Sequence, residues 1–195
     1  MNKLEGLYEL KRLNIPTIDW KIYEQGTKLD DNHLWTVRMA VYRGSDLSLP
    51  HLFGQNAMIS EKFAMQLLKQ INDRGIVVYY PYLIAEKSGN LQIGESRIII
   101  EAVEGDLGNL LTGGKVNVTY IWEDMGQRTI GNQDFLDSNE REQVKSYVEY
   151  LRRKYSDVFR SGKELQLEFS FAFDTSETGE KKGERKLVFF EIRTV

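Results

Sequence analysis

The sequence predicts an α+β fold. Two observations carry that reading: helical and β-type periodicities alternate along the chain, and many β-type segments follow one another as hairpins. Size is the third. A chain of 195 residues, 41% hydrophobic and 28% charged, has an ordinary globular composition, and one domain over 1–195, or a compact pair of lobes, is the expectation.

The elements follow in order. Leu4, Leu7, Leu10 and Leu13 form an apolar stripe on a short first helix. It should stop before Ile15-Pro16, because proline pushes its predecessor out of the α region. Ile18 to Glu24 reads as a strand, Gly26 to Asn32 as a polar loop, and Leu34 to Tyr42 as a second strand. Gly44 to Gln55, with Gly44, Asp46, Pro50 and Gly54, reads as a structured loop. Phe63, Ala64, Leu67, Leu68 and Ile71 mark one face of a helix from about Ser60 to Asp73.

Gly75 to Ala85 is β-rich, Glu86 to Asn90 has turn composition, and Leu91 to Ile93 and Arg97 to Val103 resume the β pattern. Gly105 to Gly114 reads as a loop or short helix, and Lys115 to Trp122 as a strand. Asp137-x-x-Glu140 is a capping-box pattern. It introduces an amphipathic helix with Val144, Tyr147, Val148, Leu151 and Tyr155 on its apolar face. Two last strands, Glu164 to Phe173 and Lys186 to Arg193, flank a polar connection that should be solvated and mobile.

Composition excludes several chemistries. With no cysteine, disulfides, thiolate metal sites and cysteine nucleophiles are absent. Two histidines, His33 and His51, do not make a three-histidine metal site. A net charge of −3 does not suggest nucleic-acid binding, which uses a basic face. No apolar run approaches the roughly 18 residues of a membrane span, and Met1 to Leu13 lacks the unbroken apolar stretch of a secretory signal. The expectation is a cytoplasmic protein that binds neither membrane nor nucleic acid.

The last hairpin carries the most informative chemistry. Gln166, Glu168 and Ser170 alternate against Leu165, Leu167, Phe169, Phe171 and Phe173. A symmetric turn pairing Phe173 with Lys186 puts Glu168 opposite Glu191 and Gln166 opposite Arg193. Opposed β-carbons on one face lie about 4.5–5.5 Å apart, and like charges so placed destabilise the sheet unless a cation sits between them. Mg²⁺ suits two such carboxylates, and Arg193 could take a phosphate in forked geometry. The alternative is a surface cluster of ion pairs.

Segments along the chain resemble a known family. Leu167-Glu168-Phe169-Ser170-Phe171 and Lys186-Leu187-Val188-Phe189-Phe190-Glu191-Ile192-Arg193 are similar to the D-I-E-W-A-I and K-L-Y-I-L-Q-A-R-P-I strands of the nucleotide-binding domain of phosphoenolpyruvate synthase and pyruvate phosphate dikinase. Lys3-x-x-x-Leu7-x-Glu9-Leu10 with Ile15-Pro16 resembles the family's opening G-K-x-x-x-L-x-E-L…I-P. Trp35-Thr36-Val37-Arg38 with Asp46, Pro50 and Phe53-Gly54-Gln55 is similar to V-A-V-R-S-S-A…E-D-x-P…F-A-G-Q. Tyr82 to Gly89 resembles M-V-x-A-D-x-S-G. Arg97 to Ala102, with Gly105 and Gly113, resembles R-I-V-I-E-A…G-L-G-E…S-G. These segments keep the family's order from Lys3 to Arg193.

The resemblance implies an ATP-grasp-like fold, in a shortened form, that binds ATP and Mg²⁺. It places Lys3, Arg38 and Arg193 at the nucleotide phosphates and Glu168 and Glu191 at the metal. It further implies phosphotransfer with a separately encoded phosphohistidine-domain protein, since neither His33 nor His51 sits in an acceptor motif. The departures are specific. Gln166 replaces an aspartate, Glu191 a glutamine, and Met39-Ala40 a serine pair, while Gly108 falls where the family has a glutamate, with Asp106 nearby. These losses favour a second possibility, a non-catalytic regulatory or scaffold module that keeps the fold. Three smaller candidates are the tyrosines Tyr79, Tyr80 and Tyr82, which could stack on a base, although Tyr80 and Tyr82 share a face that could pack in the core; His51 as a general base or simply an exposed loop residue; and Gly105–Gly114 as a phosphate cradle or plain turn.

Overall fold

The computed structural model describes residues 1–43, 49–111 and 114–195. Asp46 and Gly113, which the resemblance includes, lie outside the described residues. The described residues form two antiparallel sheets with flanking helices. The four-stranded sheet has the order β1-β4-β2-β3, from β1 (Lys21–Ile22), β2 (Trp35–Val41), β3 (His51–Gln55) and β4 (Gly75–Pro81). The six-stranded sheet runs β10-β9-β5-β6-β7-β8. Its strands are β5 (Leu83–Ile93), β6 (Ile98–Glu104), β7 (Val118–Glu123), β8 (Gly126–Gly131), β9 (Leu165–Thr175) and β10 (Lys181–Thr194).

Helix α1 (Lys3–Arg12) begins at a capping box, with Asn2 and Glu5 satisfying each other's backbone N–H groups, and ends ahead of Pro16. It lies against β10 at unusually short range. A β-carbon on Gly6 would sit 2.2 Å from the Ile192 carbonyl oxygen, so only glycine permits this approach. Trp20 Nε1 donates to the Leu7 carbonyl at 3.1 Å, which pins α1 to the segment leading into β1. Helix α2 (Ala57–Ile71) buries Ala64, Leu67 and Ile71 against Val37, Met39 and Val77 of the four-stranded sheet.

The main core fills one face of the six-stranded sheet. Leu91, Ile93, Ile100, Val118, Leu165, Leu167, Phe169, Phe171, Leu187, Phe189 and Ile192 meet Val144, Val148, Leu151 and Phe159 there. After the short α3 (Gly108–Leu111), these last four come from α4 (Ser138–Lys145), α5 (Val148–Lys154) and α6 (Ser156–Arg160). The sequence predicts one continuous helix from Asp137, and the structure breaks it near Ser146–Tyr147 and again at Tyr155. The same apolar residues still face the core, so the breaks let the segment bend over the sheet. The predicted capping box is present, with Asp137 accepting from the Glu140 N–H at 2.8 Å and Glu140 returning the bond to Asp137.

Other expectations are corrected. The strand expected over Ile18 to Glu24 pairs only at Lys21 and Ile22, because Ile18 and Trp20 are drawn into a core with Leu7, Val78 and Val188. Residues 51–55, expected as loop, form β3 beside β2. The expected turn at Glu86 to Asn90 is continuous strand. There Ser88 Oγ donates to the Gly105 carbonyl at 2.7 Å and shares a 2.7 Å hydrogen bond with Ser170 Oγ. Gly89 lets the Phe169 ring pack over it, where a β-carbon would fall 2.5 Å from the ring. Strand β8 has no counterpart in the sequence expectation. The polar connection after Phe173 is largely exposed, but β10 already resumes at Lys181.

The last hairpin also departs from a symmetric turn. Lys186 pairs with Ala172 rather than Phe173, and Phe189 pairs with Phe169. A bulge at Phe190 then adds one residue to β10, so Glu191 meets Glu168 and Arg193 meets Gln166. The bulge explains how Leu187, Phe189, Glu191 and Arg193, which alternate in one phase, divide between two faces. The first pair enters the core and the second faces the opposite side with Glu168.

Candidate functional site

A cavity of about 300 Å³ opens between the two sheets. Lys3, Arg38, Glu168 and Glu191 all line it. Each arrives by a different route: Lys3 on the first turn of α1, Arg38 on β2, Glu168 on β9, and Glu191 on β10 just past the bulge. Arg193, two residues further along the same face of β10, stands against both acids. Its Nη2 lies 3.0 Å from Glu168 Oε1 and 2.7 Å from Glu191 Oε1. Lys3 Nζ approaches Glu191 Oε2 at 3.6 Å. The structure thus brings together all five residues singled out from the sequence.

The two carboxylates are nearly buried, Glu168 at 7% exposure and Glu191 at 4%. Burial raises the Glu168 carboxyl above the ordinary glutamate range, and the Glu191 charge adds to that rise; Arg193, Lys3 and Arg38 oppose it. On β2, Arg38 engages the Tyr80 hydroxyl and feels both acids. Burial also pushes the Tyr80 hydroxyl up, with Arg38 pulling the other way. Tyr80 packs in the core with Leu7 and Val78, and it also lines the cavity.

Several wall residues carry weak sequence signals or none. Tyr82 joins the two sheets between Pro81 and Leu83 and lines the cavity, as do Phe190, Thr36 and His51. Asp106 is also in the wall, and its Oδ1 accepts from the Gly108 N–H at 2.8 Å. It brings an acid to the same wall as Gly108, which also lines the cavity. Asn90 is the cross-strand neighbour of Glu168 on β5, and its buried Oδ1 has no partner among the described residues. Its place in a turn-like Ser-Gly-Asn stretch hid it; knowing that β5 continues through that stretch would have put it beside Glu168.

The donor set bears on Mg²⁺. Among the described residues no three acidic or histidine side chains converge as a metal cluster. Mg²⁺ retains waters and takes one or two protein carboxylates together with substrate phosphates. Two opposed carboxylates facing a cavity, with basic side chains beside them for phosphate, fit that requirement. Among the described residues no helix is long and apolar enough to cross a membrane.

No protein-family model matches the chain, and no curated protein matches it. Solved structures do. D-alanyl-alanine synthetase A from Vibrio cholerae superposes with a TM-score of 0.51 at 11% identity, over 98% of this chain and 54% of that one. N5-carboxyaminoimidazole synthase from Aspergillus clavatus, in complex with ADP and 5-aminoimidazole ribonucleotide, gives 0.45 at 11% identity, over 98% of this chain and 43% of that one. The macrocyclase MdnC from Microcystis aeruginosa, bound with its precursor peptide MdnA, gives 0.43 at 10%, over 97% and 51%. The chain spans about half the length of these proteins. At 11% identity the likeness to the synthetase is one of fold alone, and the fold of this chain is α+β and ATP-grasp-like.

Proposed function

We propose that the cavity binds a nucleoside triphosphate, ATP in the first instance, together with Mg²⁺. The observation that carries this reading is the convergence of Lys3, Arg38, Glu168 and Glu191, from four separate elements, on one cavity of about 300 Å³. That volume lies at the small end of small-molecule sites, which run from roughly 300 to 1,000 Å³. Glu168 and Glu191 would hold the metal, and Lys3, Arg38 and Arg193 would meet the phosphates. When bound, Mg²⁺ supplies charge neutralisation between the phosphate oxygens, the main requirement of phosphoryl transfer. The aromatic rims of Tyr82 and Phe53 suit a nucleobase.

The finer reading follows the sequence resemblance. The chain acts as a counterpart of the nucleotide-binding domain of phosphoenolpyruvate synthase and pyruvate phosphate dikinase, passing phosphate to a phosphohistidine domain. A second reading rests on Gly108, which lines the cavity where the sequence resemblance has an acid: a non-catalytic module that keeps the fold and the ligand. Isothermal titration with MgATP tests the shared claim. Binding by the wild-type chain and at least about tenfold weaker binding by Lys3→Met are expected, each lost charge-assisted contact being worth roughly 1.5–3 kcal/mol. A folded chain that takes up no MgATP at millimolar concentration refutes it. Transfer of radiolabel from the γ-phosphate then separates enzyme from inert module.

A further inference from the structure

We infer that Arg193 is the resident counter-ion of the Glu168–Glu191 pair, closing the cation site until a polyphosphate draws the guanidinium away. This deepens the reading above and rests on it for the identity of the polyphosphate, though not for the behaviour of the metal alone.

The geometry comes from the strand. Glu191 and Arg193 are two residues apart on β10 and share a face, and the bulge at Phe190 sets that face opposite Glu168. One nitrogen, Nη2, touches Glu168 Oε1 at 3.0 Å and Glu191 Oε1 at 2.7 Å. It therefore occupies the position between two carboxylate oxygens that a bridging cation would take. A guanidinium at its best meets one acid with two parallel N–H bonds. Here a single nitrogen serves both acids, and the buried Nε finds no hydrogen-bond partner among the described residues. A buried donor left without a partner is costly. Arg193 thus neutralises the acids without using its fork, and a phosphate group would offer that fork a planar pair of oxygens.

The surroundings point the same way. Lys3 stands 3.6 Å from the second Glu191 oxygen, and Arg38 faces both acids from β2. A bare divalent cation approaching Glu168 and Glu191 must displace one positive charge while held close to two others. A metal arriving on a polyphosphate brings the negative charge that rehouses all three. Metal and nucleotide binding are therefore coupled through Arg193, and by linkage each strengthens the other equally.

The test titrates Mn²⁺ alone into the full chain and follows free metal by electron paramagnetic resonance. Wild-type protein should take up Mn²⁺ weakly. Arg193→Met, which keeps an unbranched apolar stem without the charge, should bind it at least about tenfold tighter, within the usual range of coupling between sites. Adding Glu168→Gln to Arg193→Met should abolish the gain. Mn²⁺ uptake by Arg193→Met no tighter than wild type overturns the inference, as does a gain that survives Glu168→Gln. Circular dichroism checks the fold. Should Arg193→Met fold only when Mn²⁺ is present, the metal has replaced the guanidinium and the inference stands; if it fails to fold even then, the inference falls. A wild-type chain that ignores MgATP while Arg193→Met gains the Mn²⁺ site refutes the nucleotide reading alone. Wild-type MgATP binding with no Mn²⁺ gain refutes the counter-ion role alone.

Discussion

Gly6 governs how closely α1 approaches β10, and through that contact where Lys3 stands. Its missing side chain leaves room for the Ile192 carbonyl, which an added β-carbon would meet at 2.2 Å. The obstacle is backbone, so it cannot rotate aside. Gly6→Ala should lower stability by about 1–3 kcal/mol, the usual cost of overpacking, despite alanine's better helix propensity. A urea titration measures this, and an unchanged midpoint would show that α1 can lift away freely. Among the site side chains, Glu168 was legible from its place in the alternation of β9. Its cross-strand neighbour Asn90 was not, since a Ser-Gly-Asn stretch carries turn composition whether or not neighbouring strands hold it extended.

Asp137 shows how a single cap supports a whole element. It accepts from the Glu140 N–H, and that hydrogen bond, foremost, holds its carboxyl below the ordinary aspartate value of 3.8. Glu140 is itself tied to β5 and β10 by Lys87 at 2.7 Å and Arg185 at 2.8 Å, so the start of α4 is fastened to the sheet. Asp137→Ala should cost about 1 kcal/mol. Because the folded value is depressed, the cap's ionic contribution is fully present above pH 3.8 and lost as pH falls through the folded value. Asp137→Asn keeps the acceptor without the titration. The wild-type advantage over it should therefore shrink below pH 3.8, as acid-dependent melting curves would reveal; an advantage that stays constant contradicts this.

Element existence was readable wherever an apolar period was strong, as in α1, α2, β2 and β9. Strand β8, mostly exposed at the sheet edge, lacks such a period and left no trace. The bulge at Phe190 was illegible for a different reason. Strict alternation describes both a flat strand and one with a shifted phase, and only packing decides between them. The expected Glu168–Glu191 pairing agrees with the structure although the expected pairing nearer the turn does not, because the extra residue restores the register beyond it.

At the scale of the molecule the cavity belongs to neither sheet alone. Arg38, Tyr80 and Thr36 come from the four-stranded sheet, and Glu168, Ser170 and Glu191 from the six-stranded one. A ligand filling it should tie the sheets together. At 100 times its dissociation constant, MgATP should add roughly 2.7 kcal/mol to stability by mass action. Hydrogen exchange should then slow in β2 and β10 together, whereas protection confined to one sheet would place the ligand elsewhere. The sequence resemblance conveyed which residues converge, but it gave no sign of contacts between distant segments, such as the Thr17 hydroxyl donating to the Phe189 carbonyl.

Tyr82 is at once a joint and a wall. The chain leaves the four-stranded sheet at Pro81, enters the six-stranded sheet at Leu83, and presents the intervening ring to the cavity. Its backbone is held at both ends, the N–H by the Leu34 carbonyl at 2.8 Å and the carbonyl by the Thr175 hydroxyl. Trimming the ring would widen the chamber while leaving both backbone anchors in place. Room for a ligand and the seam between the sheets are therefore separable at this position, the side chain setting one and the main chain the other.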